Sequence, residues 1–292
     1  MMHPKKIIAA LTAMVLLCLP LASCGEEERV PADPVIESDA EVDTAPVEGV
    51  DEIDYKARLD MLLNITPCDA AALQTEEVNG TLTVTGYVGA ATELCIPASV
   101  DGLSVTAIAD SAFAGNTALR AVAIPDSVTS VGKGILTGCT SLTALRTPLL
   151  GATADAKEQY LGYLFGADAY KDNPRDVPAS LKLLRLGGAM EALSDYALYD
   201  CNDLTCVELP ESVRKIGKFA MYNCASLEAV LHLEHAVTLG EYALSYCSSL
   251  KSLTLGKNVE RIGFAALEGC TALRILTLPF AGGSLNEKSY LG

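Results

Sequence analysis

The sequence predicts a β-rich solenoid, a coil of short turns with a parallel sheet along one side, and three observations carry that prediction. Cys201, Cys224, Cys247 and Cys270 follow one another at steps of 23 residues, and Asn116 and Cys139 are separated by the same step. Between these marks the same slots refill. Leu119, Val122, Ile124, Pro125, Val128, Val131 and Gly132 upstream match Leu204, Val207, Leu209, Pro210, Val213, Ile216 and Gly217 downstream. Half of the 292 residues are apolar, enough for a substantial core. One such unit cannot bury its apolar face alone, whereas stacked units share a continuous interior.

Each slot has a physical reason. Leu-x-x-Ile-x-Ile is a short strand whose side chains alternate with period two. A Pro or polar residue ends it, and Val-x-x-Ile-Gly forms the returning side, with Gly where a Cβ would hinder the turn. Ala112-Phe113, Ala220-Met221, Ala243-Leu244 and Ala266-Leu267 close the interior. The repeat-start cysteines hold a corner slot that suits a small apolar side chain, so Cys139, Cys201, Cys224, Cys247 and Cys270 are expected as a ladder of free thiols. Rungs about 5 Å apart are also within reach of a disulfide. Cys68, Cys95 and Cys206 fall outside that slot, and Cys68 with Cys95 is a pairing that would staple the start of the chain to the first unit.

These residues resemble the BspA-like bacterial leucine-rich repeats, the type also found in treponemal surface proteins. The run Gly80-Thr-Leu-Thr-Val-Thr-Gly86-Tyr87, followed by Leu94-Cys-Ile96-Pro97, Gly102, Val105, Ile108 and Ala112-Phe113, looks like the first unit of that family. The resemblance covers residues 80–292. It implies a right-handed leucine-rich-repeat coil and non-enzymatic recognition of an extracellular protein or other surface macromolecule, with adhesion to host or neighbouring cells as the expected role. It does not identify a ligand, because the recurring residues are core residues.

The remaining segments follow in chain order. Residues 1–24 read as a lipoprotein signal peptide: Lys5 and Lys6, a 13-residue apolar run from Ile7 to Leu19, then Leu21-Ala22-Ser23-Cys24. The run is too short for a permanent span of about 20 residues. Cys24 would instead carry lipid chains, each buried CH₂ contributing roughly 0.8 kcal/mol to membrane attachment. Residues 25–54 read as an acidic, Pro-containing disordered tether. From Gly25 to Asp60, Asp and Glu number 13 and Lys and Arg 3, a net of −10 out of −16 for the whole chain. An N-terminal cap is expected over 55–79, with a helix from Tyr55 to Leu63 whose Tyr55, Leu59, Leu62 and Leu63 share one stripe. The solenoid then runs over 80–292.

Cys139 and Cys201 stand 62 residues apart, one period plus 39, which places an insertion at about 148–187. Four aromatics within it, Tyr160, Tyr163, Phe165 and Tyr170, are either a candidate binding site or packing for the insertion. Leu278-Pro279-Phe280-Ala281-Gly282 and Tyr290-Leu291-Gly292 echo its beginning, so a second insertion is expected to start near 279 and to be cut short.

The strand positions flanking the inward residues point to the outer face of the sheet: Ala121 and Ala123, Ala144 and Arg146, Leu183 and Arg185, Cys206 and Glu208, Ala229 and Leu231, Ser252 and Thr254, Ile275 and Thr277. This mostly small, weakly charged row is the candidate binding face. No triad, phosphate loop or dinucleotide fingerprint occurs, so no enzyme and no cofactor are assigned. His232, Glu234 and His235 do not form the His-Glu-x-x-His helix pattern, and no metal is assigned to them. An excess of 37 acidic over 21 basic residues argues against nucleic acid. The alternative function is a targeting or scaffold region of a longer protein that also carries a catalytic module.

Overall fold

The computed structural model describes residues 54–62 and 65–279. The signal segment, the tether up to Ile53, Leu63 and the C-terminal echo beyond Pro279 lie outside them. Among the described residues no helix is long and apolar enough to cross a membrane.

The coil opens on a hairpin, Leu73–Val78 against Thr81–Tyr87, joined through Asn79-Gly80 with both residues at positive φ. Thr81–Tyr87 pairs in parallel with Leu103–Ile108, which is turned back on Ser99–Val100 through Asp101-Gly102, again both left-handed. A front sheet then stacks one strand per turn, all parallel: Glu93–Cys95, Ala121–Ala123, Ala144–Thr147, Leu183–Leu186, Cys206–Glu208 and Ala229–Leu231. Ser252–Thr254 and Ile275–Thr277 continue the row as a separate pair. Behind it, Ala192–Leu193, Lys215–Ile216, Thr238–Leu239 and Arg261–Ile262 form a second parallel ladder. The inward Val122, Leu145, Leu184, Val207 and Leu253 sit in one core running the length of the stack.

The register corrects the expected insertion at 148–187. Ala144 pairs directly with Leu183, and Leu183 with Cys206, so Leu183–Leu186 is an ordinary front strand. The segment is a full turn that takes 39 residues instead of 23. A 3₁₀ helix, Leu161–Phe165, fills the corner normally closed by the Ala-Phe pair: Leu136 N–H donates to Leu164 O, and Leu161 N–H donates to Ala197 O. Leu161 and Leu164 are fully buried there. The surplus forms a loop before this corner and a short excursion after it, ending in the helix Asn173–Asp176.

The repeat glycines act by close approach rather than by turning the chain. A Cβ on Gly240 would lie 2.6 Å from the carbonyl carbon of Gly217, and one on Gly217 would lie 2.5 Å from Asp195 N. Neither has a positive φ. Left-handed residues instead recur at two other corner slots: Ser111, Tyr196, Phe219, Tyr242 and Ala265 in one, Asp200, Asn223 and Tyr246 in the other. Each non-glycine residue there costs roughly 1–2 kcal/mol of backbone strain. Stacking offsets much of it. The rings of Tyr196 and Phe219 lie 5.2 Å apart and those of Phe219 and Tyr242 4.9 Å apart, both nearly parallel, and each such pair contributes about 0.5–1.5 kcal/mol beyond burial.

All eight described cysteines are free. The Sγ–H of Cys139, Cys224, Cys247 and Cys270 points to the carbonyl of Phe113, Leu198, Met221 and Leu244 respectively, at 3.1–3.3 Å. Each thiol thus adds a second, weak hydrogen bond to a carbonyl of the preceding turn that already accepts from a backbone N–H, a contact Ala could not make. Burial pushes the Cys224 and Cys247 thiols far above their ordinary range.

One strand breaks the pattern. His232 stands where Leu209 and Leu255 fill the core in neighbouring turns, but it adopts φ 66° and turns outward. Leu233 takes the core position at 1% exposure and begins a 3₁₀ turn, Leu233–His235. The hydrogen-bonded front ladder stops at this point.

Candidate recognition face

The outer row of the front sheet is only partly open, and the reason is the N-terminal helix, α1 (Tyr55–Asp60). Asp54 caps it, its carboxylate accepting from Ala57 N–H. Tyr55, Leu59 and Leu62 form the apolar stripe anticipated from the sequence. They do not cap an end of the coil; they lie on the front sheet, in one buried cluster with Ala121, Ala144, Leu183 and Cys206. Ala121, Ala144, Leu183 and Arg185 are therefore buried, not presented, and Ala123 is buried as well. This corrects the expectation for the first half of the candidate face: small side chains there admit the chain's own helix.

Polar groups fix the helix in register. Arg185, 5% exposed, donates from Nε to Glu208 Oε2 and from Nη2 to Asp60 Oδ1 at 2.9 Å. Tyr55 is pushed up to about 12, first by burial and then by its hydrogen bond to Glu228. Glu228 is itself held below the usual carboxylate range, chiefly by Lys251. Arg146 instead reaches back to the end of the preceding strand, donating to Ile124 O and to the Asp126 carboxylate.

Asp60 carries a pH consequence. Arg185 above all, and Lys56 secondarily, hold its carboxyl below the ordinary value. The stabilisation of docked α1 is therefore complete above the unfolded value of about 3.9 and is lost as the pH falls through the lower folded value. Amide protection factors in Tyr55–Asp60 should stay constant from pH 7 to about 4 and fall below that. Unchanged protection at pH 2.5 would show that the ion pair does not hold the helix.

Beyond α1 the row opens gradually, with Ala229 and Leu231 still packed against the edge of the α1 cluster. Ala229 and Leu231 are half-buried, Ser252 and Thr254 are exposed, Ile275 is 46% exposed and Thr277 half-buried. These six positions carry no charge, which leaves a flat, uncharged patch on the last three front strands.

The insertion aromatics do not make a second face. Tyr160 and Phe165 are 5% and 3% exposed, and Tyr163 packs half-buried with its hydroxyl toward Val131 O. Tyr170 alone is substantially open, and it stacks on Tyr196 at 4.1 Å as the first rung of the corner ladder. That ladder continues through Phe219 and Tyr242 to the exposed Phe264, with Tyr199 stacked on Tyr222 alongside. Its signal lay in the sequence as Tyr196, Phe219 and Tyr242 at the repeat spacing.

A shallow cleft lies elsewhere, between Asn173–Leu181 and Asp200–Leu204. Its one thiol, Cys201, is buried and pushed far up, the opposite of an activated nucleophile.

Among the solved structures that this chain is similar to are a leucine-rich repeat protein of T. pallidum, one of Bacteroides ovatus, and a leucine rich cell surface protein of Faecalibacterium prausnitzii. The first is 23% identical, with 71% of this chain and 91% of that one covered and a TM-score of 0.44. The second is 21% identical, with 74% and 53% covered and a TM-score of 0.41. The third is 16% identical, with 73% and 94% covered and a TM-score of 0.27. None of the curated proteins matches the sequence. The family described as BspA type leucine rich repeat region matches in six copies over residues 94–153 and 178–291, more than half of the chain. With the parallel-sheet solenoid of 23-residue turns, that match places this chain in the BspA type leucine-rich repeat family.

Proposed function

We propose that this chain is a non-enzymatic recognition protein of the bacterial envelope, held to the membrane by lipid on Cys24 and lifted from it by the acidic tether. Its partner is an extracellular protein on a host or neighbouring cell. The uncharged row of Ser252, Thr254, Ile275 and Thr277, bordered by the half-buried Ala229 and Leu231, supports this reading, because mostly small side chains let another backbone approach closely. Family membership supports it too, since leucine-rich repeat proteins generally serve as interaction scaffolds rather than catalysts.

The test is binding of the full chain to arrays of extracellular-matrix proteins, mucins and glycans, beside a Ser252→Glu, Ile275→Glu variant. Both positions are exposed, so the variant should fold. Saturable binding to one protein, lost in the variant, is expected. Binding retained in the variant would remove the site from the sheet, and no binding to any protein would sink the adhesion reading in favour of a scaffold role.

A further inference from the structure

We propose that Glu211, His232 and His235 form a site for a divalent transition-metal ion of the zinc class, at the point where the front ladder is broken. One ring nitrogen of each histidine and one carboxylate oxygen of Glu211 lie within 4.8 Å of one another. Three such donors are the protein complement of an open tetrahedral site, with water or Glu234 in the fourth position. The carboxylate of Glu234 stands beside them, 3.6 Å from His232 Nδ1 and 3.7 Å from His235 Nε2.

The donors come from two successive turns, so the stacking itself brings them together, and Glu211 could not be joined to the histidines from sequence spacing. Leu233 fills the core slot, and the left-handed backbone at His232 swings its ring out toward Glu211. Among the described residues, His232 is the one left-handed non-glycine residue outside the corner slots and the two N-terminal turns. Glu208 Oε1 lies 3.4 Å from His232 Nε2, which places a carboxylate behind the ring when Nδ1 is the ligating nitrogen. Two imidazoles with a carboxylate select Zn²⁺, Cu²⁺, Ni²⁺ or Co²⁺ over Ca²⁺ and Mg²⁺, which require a shell of oxygens. The ion would clamp one turn to the next beside the open patch.

The experiment titrates the full chain, prepared without a polyhistidine tag, with Zn²⁺ in competition with a chromogenic chelator, and with Co²⁺ followed by its visible spectrum. One saturating equivalent, tetrahedral Co²⁺ bands and no competition from millimolar Ca²⁺ are expected. Glu211→Gln and His235→Gln should each weaken Zn²⁺ at least about tenfold while leaving the metal-free urea midpoint unchanged. His232→Asn, which keeps the left-handed backbone, should do the same and serves if either of the others fails to fold. Zn²⁺ should raise the Tm of the wild type alone, since only the folded state holds the donors together. No saturable binding, or binding equally tight in the Glu211→Gln, His235→Gln double variant, would overturn the site.

Discussion

Gly240→Ala should destabilise the solenoid by about 3 kcal/mol, at the upper end of overpacking effects. The added methyl would sit 2.6 Å from both Gly217 C and Lys218 N, with Gly217 O at 2.7 Å. All three are backbone atoms of the preceding turn, which cannot rotate away as a side chain would. Relief requires separating two turns, and that would strain the adjoining ladder between Lys215–Ile216 and Thr238–Leu239. The contrast is Gly115→Asn. Gly115 has φ +76° with nothing near its missing Cβ, and the equivalent slot in other turns holds Asp200 and Asn223 at φ 54° and 55°. That variant should change stability by only a few tenths of a kcal/mol. Urea midpoints of the two variants and wild type measure the difference; equal midpoints would show that the turns are not packed at backbone contact.

Arg185→Met should cost about 3–5 kcal/mol, because it strands a buried carboxylate. The side chains of Arg185 and Glu208 are only 6% and 12% exposed, and Arg185 is also the partner of Asp60 on α1. Removing the guanidinium leaves the largely buried Glu208 without its cation, with only the His232 ring nearby, and frees the end of the helix as well. Replacing both residues, Arg185→Met with Glu208→Leu, should recover most of the loss, since an apolar pair of similar volume carries no desolvation penalty. Chemical denaturation of the single and double variants gives the comparison. A double variant as unstable as Arg185→Met would mean that the guanidinium matters for its packing rather than for its charge.

The solenoid was legible because its slots are one-dimensional: a period of 23 with Leu, Val and Pro in register already places the inward row that includes Val122, Val207 and Leu253. What crosses between turns was not. The stripe Tyr55, Leu59 and Leu62 announces an apolar helix face, yet a six-residue helix does not state which surface it covers. Small outer residues such as Ala121 and Ala144 read equally well as an open face or as the seat of that helix. In the enlarged turn the strand positions Leu183 and Arg185 were legible, but subtracting one period from 62 residues carried the expected insertion, 148–187, over the strand Leu183–Leu186. The cluster of Glu211 with His232 and His235 depends on a left-handed residue that no periodicity predicts.

The central claim is that α1 covers the first half of the outer row and leaves the last strands open, and Cys206 reports on it most directly. Its thiol lies under the helix, fully buried and pushed up to about 12, mainly by burial and then by Glu208. Burial thus both disfavours the thiolate and blocks access of reagent. Timed alkylation read by peptide mass spectrometry should therefore find Cys206 protected in the native chain. In Leu59→Asp, which places a charge at the centre of the docked stripe, Cys206 should react at nearly the rate of an open cysteine. Cys224 and Cys247 should stay protected in both, showing that the coil itself is intact. Rapid alkylation of Cys206 in the wild type, or continued protection of Cys206 in Leu59→Asp, would contradict the account.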